Sequence, residues 1–315
     1  MNDSRMSTSL PMAFRGDTPV SIQVQSILYN NRASDVKRAL QSLARSAELA
    51  MRAGVCKQVL VRYGDSSQMP CFKDDEVAEL QREFSSSISI EYVHFGANLG
   101  SAGGHNKLAE ESTSDFFLIQ NPDVVVCPRI FQLLLEPFSN RGVGLVEAKQ
   151  LPIEHPKEYD PSTGETSWAA TACALVPRSL FERIGGFDSA SFFLYCDDVD
   201  FSWSIRLAGY QVIYQPAAVV FHDKRLTADG KWQPTASELY FSAEAALILA
   251  YKWSRADLAE KILEYFDVAP EPHYSRAAAE YRNRLSNGKL PKPVDIENKI
   301  AQFIDGNYAT HRYAL

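Results

Sequence analysis

The chain has 315 residues, 45% of them hydrophobic and 23% charged, with a formal net charge of -7. That is the composition of an ordinary globular protein with enough chain to bury a sizeable core. The acidic balance argues against a nucleic-acid binder, which carries a basic surplus, but allows a nucleotide ligand, since a small phosphate site needs only local donors.

No apolar run reaches membrane-spanning length. Residues 1–18 hold no continuous apolar stretch and are read as a polar tail, not as a secretory signal. Cys56, Cys71, Cys127, Cys173 and Cys196 are widely spaced and form no C-x-x-C. Reduced thiols in a cytoplasmic protein are expected, not a zinc site or a disulfide frame.

In chain order, residues 20–29 (VSIQVQSILY) read as a buried strand that ends on Asn30-Asn31. Residues 35–53 follow as an amphipathic helix with Val36, Ala39, Leu40, Leu43 and Ala47 on one face. A strand over 59–63, a helix over 74–84 and a strand over 88–94 complete β-α-β-α-β, the pattern of a doubly wound sheet with a parallel core. Ligands of such sheets bind beyond the carboxyl ends of the strands. Tyr29, Asn30, Asp65 and Asn98 all fall there.

The run Asn98-Leu-Gly-Ser-Ala-Gly-Gly-His-Asn106 opens a helical stretch. Its glycines either bring backbone N–H groups close to a phosphate or serve a tight helix entry, and the run is neither G-x-G-x-x-G nor a Walker A loop. Residues 116–120 (FFLIQ) form a central strand, ended by Asn121-Pro122-Asp123 because Pro122 cannot donate to a ladder; residues 124–126 resume it. Asp123 is then either at a cleft edge or in a plain turn. A helix over 128–138 and a strand over 143–148 lead to an irregular stretch, 149–168, with three prolines. Connections of that length within a domain usually carry function. A strand over 169–177 and a short helix over 178–184 follow.

The chain then enters FFLYCDDVDFSWSIR, residues 192–206. Acids in a first helical turn gain about 0.3–1 kcal/mol each from the macrodipole, which accounts for one or two. Three, at Asp197, Asp198 and Asp200, resist ionising together unless a cation, donors or solvent compensate. Asp197 is expected near the N-cap and Gly209 as the residue that ends the helix. After it come a strand over 210–214 and residues 216–221, which lead to His222. A lone histidine at a strand end is more often structural, but aspartates nearby favour a metal. The longest helical pattern, 238–266 with a break near Ser254, and a helix over 274–285 form a C-terminal helical extension. The division expected is a tail (1–18), a catalytic domain (19–235) and the extension (236–315).

Five segments together resemble the family-2 glycosyltransferases with the GT-A fold, especially their bacterial rhamnosyltransferase-like group. They are VSIQVQSILYN, NLGSAGGHN, NPDV, GGFDSASFFLYCDDVDFSWSIRLAGY and PAAVVFH. The resemblance covers roughly residues 20–225. NPDV is similar to the family's metal-binding Asp-x-Asp with asparagine for the first acid. In two places the chain departs from the pattern: Asp197 replaces the usual glutamate, and Arg62-Tyr-Gly-Asp-Ser-Ser67 replaces Asp-Asn-Gly-Ser.

What the resemblance implies is an inverting, metal-dependent transferase on a GT-A sheet. It would move a sugar from a nucleoside-diphosphate sugar, dTDP-rhamnose or a UDP-sugar, to a hydroxyl of a glycan or lipid-linked glycan. Asp198 is the implied general base. Asp197 would orient the acceptor, and Trp168 is either an acceptor platform or a core tryptophan. Tyr29, Asn30, Asp65, Asn98, Gly100, Gly104 and Asn121 would hold the nucleotide sugar, and Asp123 and His222 would hold Mn2+ or Mg2+. Any contact with a lipid-borne acceptor would be peripheral, at the inner face of the membrane. Two alternatives are a sugar nucleotidyltransferase, which lacks support in a first loop without glycines, and a non-catalytic carbohydrate-binding protein on the same fold.

Overall fold

The computed structural model describes residues 18–154, 157–222 and 233–304. The expected tail, all but its last residue, and Asp223, Lys224 and Arg225 behind His222 lie outside them. Eight strands form one sheet: β1 (Val20–Leu28), β2 (Cys56–Asp65), β3 (Ser89–His94), β4 (Phe116–Gln120), β5 (Val124–Val126), β6 (Val143–Leu151), β7 (Cys173–Pro177) and β8 (Gln211–His222). Their order is β3-β2-β1-β4-β7-β6-β8-β5. The first four in that order are parallel, β7 runs antiparallel to both neighbours, and β5 is antiparallel to β8. This is the expected mixed sheet with a parallel core.

The strand pattern explains why both faces are covered. Phe116 and Leu118 of β4, with Cys173 and Leu175 of β7, point into one apolar layer. The alternate residues, Phe117, Ile119, Ala174 and Val176, point into the other. Such two-sided burial needs helices on both faces. Helices α1 (Ala33–Arg52), α2 (Asp74–Phe84) and α4 (Ile130–Leu135) pack on the first layer. Helices α3 (Gly100–Ala109), α5 (Arg178–Arg183) and α6 (Asp197–Leu207) pack on the second. Three more helices follow: α7 (Ala236–Lys252), α8 (Ala256–Val268) and α9 (Pro272–Ser286). They share a cluster of their own around Leu247, Ala259 and Tyr281. Helix α7 also joins α6 through Val199, Trp203, Ile248, Leu249 and Trp253.

Local expectations needed three corrections. Residues 124–126 do not resume β4; after the Pro122 turn they cross to the far edge of the sheet and pair with β8, with Val124 opposite His222. Strand β7 starts at Cys173, because the backbone of 169–172 bonds to a side chain of α6 and to Asn121 instead of to a strand. The irregular stretch is shorter than read, since β6 runs to Leu151 and a bridge joins Tyr159 to Thr166. Asp197 lies beside the N-cap as expected: the N-cap of α6 is Cys196, and Asp197 is the first helical residue. The break near Ser254 is present: α7 ends there, with Ser254 at φ 59°.

Candidate active site

The carboxyl ends of β1, β2 and β3 are knitted together by the turn after β2. Ser66 N donates to Leu28 O (2.9 Å), Asn30 N to Ser67 Oγ (2.8 Å), and Leu99 N to Ser66 Oγ (3.4 Å). Asp65 is fully buried and braces this turn. Its carboxylate accepts from Ser67 N (2.8 Å), Cys71 N (2.7 Å) and the Tyr92 hydroxyl. Burial alone would push its pKa up, but these donors favour the charged form and hold it below the usual carboxylate value. Tyr29, just past β1, is 55% exposed beside this turn, and Asn30 takes a left-handed φ of 56°.

The glycine-rich run has a packing reason at two of its glycines. At Gly100 (φ +68°) a Cβ would lie 2.3 Å from the Phe193 carbonyl oxygen, which also accepts from Ser101 N (3.1 Å). At Gly104 a Cβ would meet the Ile27 side chain at 2.8 Å, so its absence lets α3 close on β1. Asn98 Oδ1 accepts from Gly100 N (3.1 Å). Asn106 clamps a distant turn: its Nδ2 donates to Phe187 O (2.7 Å) and its Oδ1 accepts from Phe187 N (2.9 Å). The Asn106 role escaped the sequence reading, although its place at the end of the motif was a signal.

Strands β5, β6 and β8 lie side by side at the opposite half of the sheet, and there Asn121, Asp123 and His222 meet. His222 Nε2 is 3.6 Å from Asp123 Oδ1 and 3.2 Å from Asn121 Nδ2. His222 Nδ1 is 2.9 Å from Gln150 Oε1. An amide oxygen only accepts and an amide nitrogen only donates. The two contacts therefore place the ring proton on Nδ1 and aim the Nε2 lone pair at the Asn121–Asp123 side. Gln150 had no sequence signal; its backbone N is held by Glu154 Oε2 (2.8 Å), which also accepts from the Tyr214 hydroxyl (3.2 Å). Behind this, Glu147 and Lys157 form a buried ion pair (2.5 Å). Among the described residues no group of three or more His, Cys, Asp or Glu could hold a metal ion.

The acid helix begins from a strained entry. Tyr195 and Cys196 are both left-handed, at φ 67° and 54°, a conformation that costs non-glycine residues of order 1–3 kcal/mol each. Such strain persists only where the surroundings over-determine it. It turns the chain so that Asp197 and Asp198, 6% and 7% exposed, open the first turn. Asp198 Oδ1 accepts from Val199 N (2.9 Å). Ser202 Oγ donates to Asp198 O (2.7 Å) and accepts from Ala169 N (3.0 Å). Since Asn121 N donates to Ala172 O (3.0 Å), the 169–172 segment links the end of β4 to the acid helix. Asp200 does not share the surface of its neighbours; it is 2% exposed and faces the C-terminal helices. Trp168 is in the core, 2% exposed, with the Lys157 ammonium 4.1 Å from its ring centroid.

No protein-family model matches the chain. Over 117 residues it is 33% identical to N-acetylglucosaminyl-diphospho-decaprenol L-rhamnosyltransferase of Mycobacterium tuberculosis, covering 34% of this chain and 36% of that protein. Over 67 residues it is 39% identical to rhamnosyltransferase WbbL of Escherichia coli, covering 21% and 25%. The matches thus span about a third or less of these relatives. Among solved structures, a mannosyltransferase from Pyrobaculum calidifontis in complex with GDP-Man and Mn2+ superposes with a TM-score of 0.50 at 17% identity, covering 86% of this chain and 82% of that one. GalNAc-T7 with UDP, GalNAc and Mn2+ superposes with a TM-score of 0.60 at 12% identity, covering 90% and 57%. By its sheet order and these superpositions the chain has the GT-A fold, and over about a third of its length its sequence is similar to rhamnosyltransferases.

Proposed function

We propose that this protein transfers a sugar, with inversion, from a nucleoside-diphosphate sugar to a hydroxyl of a glycan or lipid-linked glycan. The observation that carries the reading is the meeting of Asp123 and His222, 3.6 Å apart, at the start of β5 and the end of its antiparallel neighbour β8. The donor set suits a divalent cation: one carboxylate oxygen and one imidazole nitrogen whose ring is oriented from behind by Gln150. Two protein donors leave the remaining positions to diphosphate oxygens and water, as expected for Mg2+ or Mn2+. Bound there, the cation would neutralise the charge that develops on the departing diphosphate.

The remaining chemistry falls to the chain's own side chains. Asp198 takes the proton of the acceptor hydroxyl as that oxygen bonds to the anomeric carbon. The bond from that carbon to the diphosphate oxygen breaks on the opposite face, so the configuration inverts. Asp197, one residue earlier at the same helix start, orients the acceptor. The turn braced by Asp65, with Tyr29, Asn30 and Asn98 around it, receives base and ribose, and Asn121 borders the diphosphate. Gly100 and Gly104 would act there through the close approach of α3. A platform role for Trp168 requires Lys157 to leave its face. The named rhamnosyltransferase relatives favour dTDP-rhamnose over a UDP-sugar as donor. Among the described residues no helix is long and apolar enough to cross a membrane.

A thermal-shift screen of nucleoside diphosphates and nucleotide sugars, each with and without Mn2+, tests the donor half, because a ligand of the folded state raises the melting temperature. One nucleotide should stabilise only when metal is present. Asp198→Asn should retain that shift and lose transfer by about a hundredfold or more. A folded Asp198→Asn protein with undiminished turnover would remove Asp198 as the base.

A further inference from the structure

We infer that Lys252, at the end of α7, is a positioning residue for the acid helix, and so that the C-terminal extension is part of the catalytic apparatus. Its ammonium lies 2.8 Å from Asp188 Oδ2 and 2.8 Å from Asp200 Oδ2. The next residue completes the hold: Trp253 Nε1 donates to Asp200 Oδ1 (2.9 Å). Both oxygens of a buried carboxylate are thus taken by the last turn of α7. The Trp253 ring packs edge-to-face with Trp203 of α6, centroids 5.3 Å apart.

The placement of the two carboxylates gives the clamp its effect. Asp188 sits in the turn that precedes the aromatic run, where it also accepts from Ser191 N (3.1 Å). Asp200 closes the first turn of α6 through its N–H to Cys196 O (2.9 Å). One cation therefore pins both ends of the segment 189–199, which contains the left-handed Tyr195 and Cys196. Side chains two apart on a helix point to nearly opposite sides. Asp200 anchored on α7 thus leaves Asp198 directed away from it. Without the cation, the buried Asp200 carboxylate would face the partly exposed Asp188 carboxylate with no positive charge between them. The strained entry would then lose what over-determines it. This role rests on the transferase reading above for its catalytic meaning, though not for its structural content.

The test compares the wild type with Lys252→Met, Lys252→Arg and Trp253→Phe. Two readouts are used: amide hydrogen exchange of residues 196–201, and the ratio of donor hydrolysis to transfer. Loss of folded protein scales hydrolysis and transfer alike, so a merely structural role leaves their ratio unmoved. Lys252→Met should speed exchange at 196–201 by about tenfold or more relative to α1, leave donor affinity within about twofold, and raise the ratio by about fivefold. Lys252→Arg should restore most of both. If Lys252→Met does not fold, Trp253→Phe, which keeps an aromatic ring, though a smaller one, and removes the N–H donor, should show the same changes in smaller measure. Unchanged exchange and an unchanged ratio in either folded variant would overturn the inference. Faster exchange in a protein whose wild type transfers no sugar would uphold the clamp and sink the transferase reading instead.

Discussion

Replacing Gly100 by alanine separates packing from ligand binding at the glycine-rich run. Two costs arise. An L-residue held at φ +68° costs about 1–2 kcal/mol. The new Cβ would also stand 2.3 Å from the Phe193 carbonyl oxygen, against an ordinary C···O approach of about 3.3 Å. Relief of that ~1 Å overlap requires backbone movement at Phe193, and the Ser101 N–H bond to the same oxygen (3.1 Å) is lost with it. Overpacking of this kind costs about 1–3 kcal/mol and the hydrogen bond about 1 more. Gly96 provides the control: its φ is +67°, but nothing lies within 4 Å of its would-be Cβ. Gly96→Ala should therefore cost about 1–2 kcal/mol and Gly100→Ala about 3–6. Urea unfolding followed by tryptophan fluorescence, with equal slopes, measures both. Equal losses would refute the close-approach argument. Lost donor affinity without lost stability would return Gly100 to the nucleotide.

Three further outcomes are expected. Asn106→Ala should cost about 2–3 kcal/mol, since it strands both Phe187 N and Phe187 O; Asn106→Asp should be scarcely better, because a carboxylate cannot donate to Phe187 O, and urea midpoints check both. Burial pushes Glu147 up to about 7, against the counter-pull of Lys157, so the folded chain keeps a proton that the unfolded chain releases near its ordinary value of 4.5. Stability should then fall by about 3 kcal/mol as pH rises from that value through about 7, and level off above. Glu147→Gln should abolish that slope in paired urea titrations at about pH 5 and about pH 8, and an identical slope in the variant would exclude Glu147 as its source. Gln150→Leu should weaken Mn2+-dependent nucleotide binding by about tenfold without touching metal-free binding, as read by calorimetry; His222→Ala should abolish the metal dependence.

The fold was legible because its signals are local. Two-sided apolar strands such as FFLIQ, the helical spacing after Ser34 and the Pro122 stop each act within a few residues. The acids at 197, 198 and 200 also stood out, since three like charges in one turn demand a reason. The partners of those acids were not legible. Asp200 looked like one of a cluster, yet its oxygens belong to Lys252 and Trp253, some fifty residues later. Gln150 carries no motif, and it faces His222 only because β6 and β8 are neighbours with Gln150 opposite Val220.

What the sequence determined by itself was thus the inventory: a doubly wound α/β sheet, strand ends rich in asparagine and aspartate, a glycine-lined helix entry and an acidic helix start. Hydrophobic period, proline and glycine act through the backbone over short range, and they write those features directly into the chain. The tertiary structure decided which of those groups meet. It carried Val124–Val126 across the sheet to β8, set His222 against Asp123, gave Asn106 to Phe187, and gave Asp200 to the C-terminal helix. Those pairings depend on strand order and on contacts far apart in sequence, where the energy lies in desolvated hydrogen bonds and a shared buried charge that no local pattern encodes.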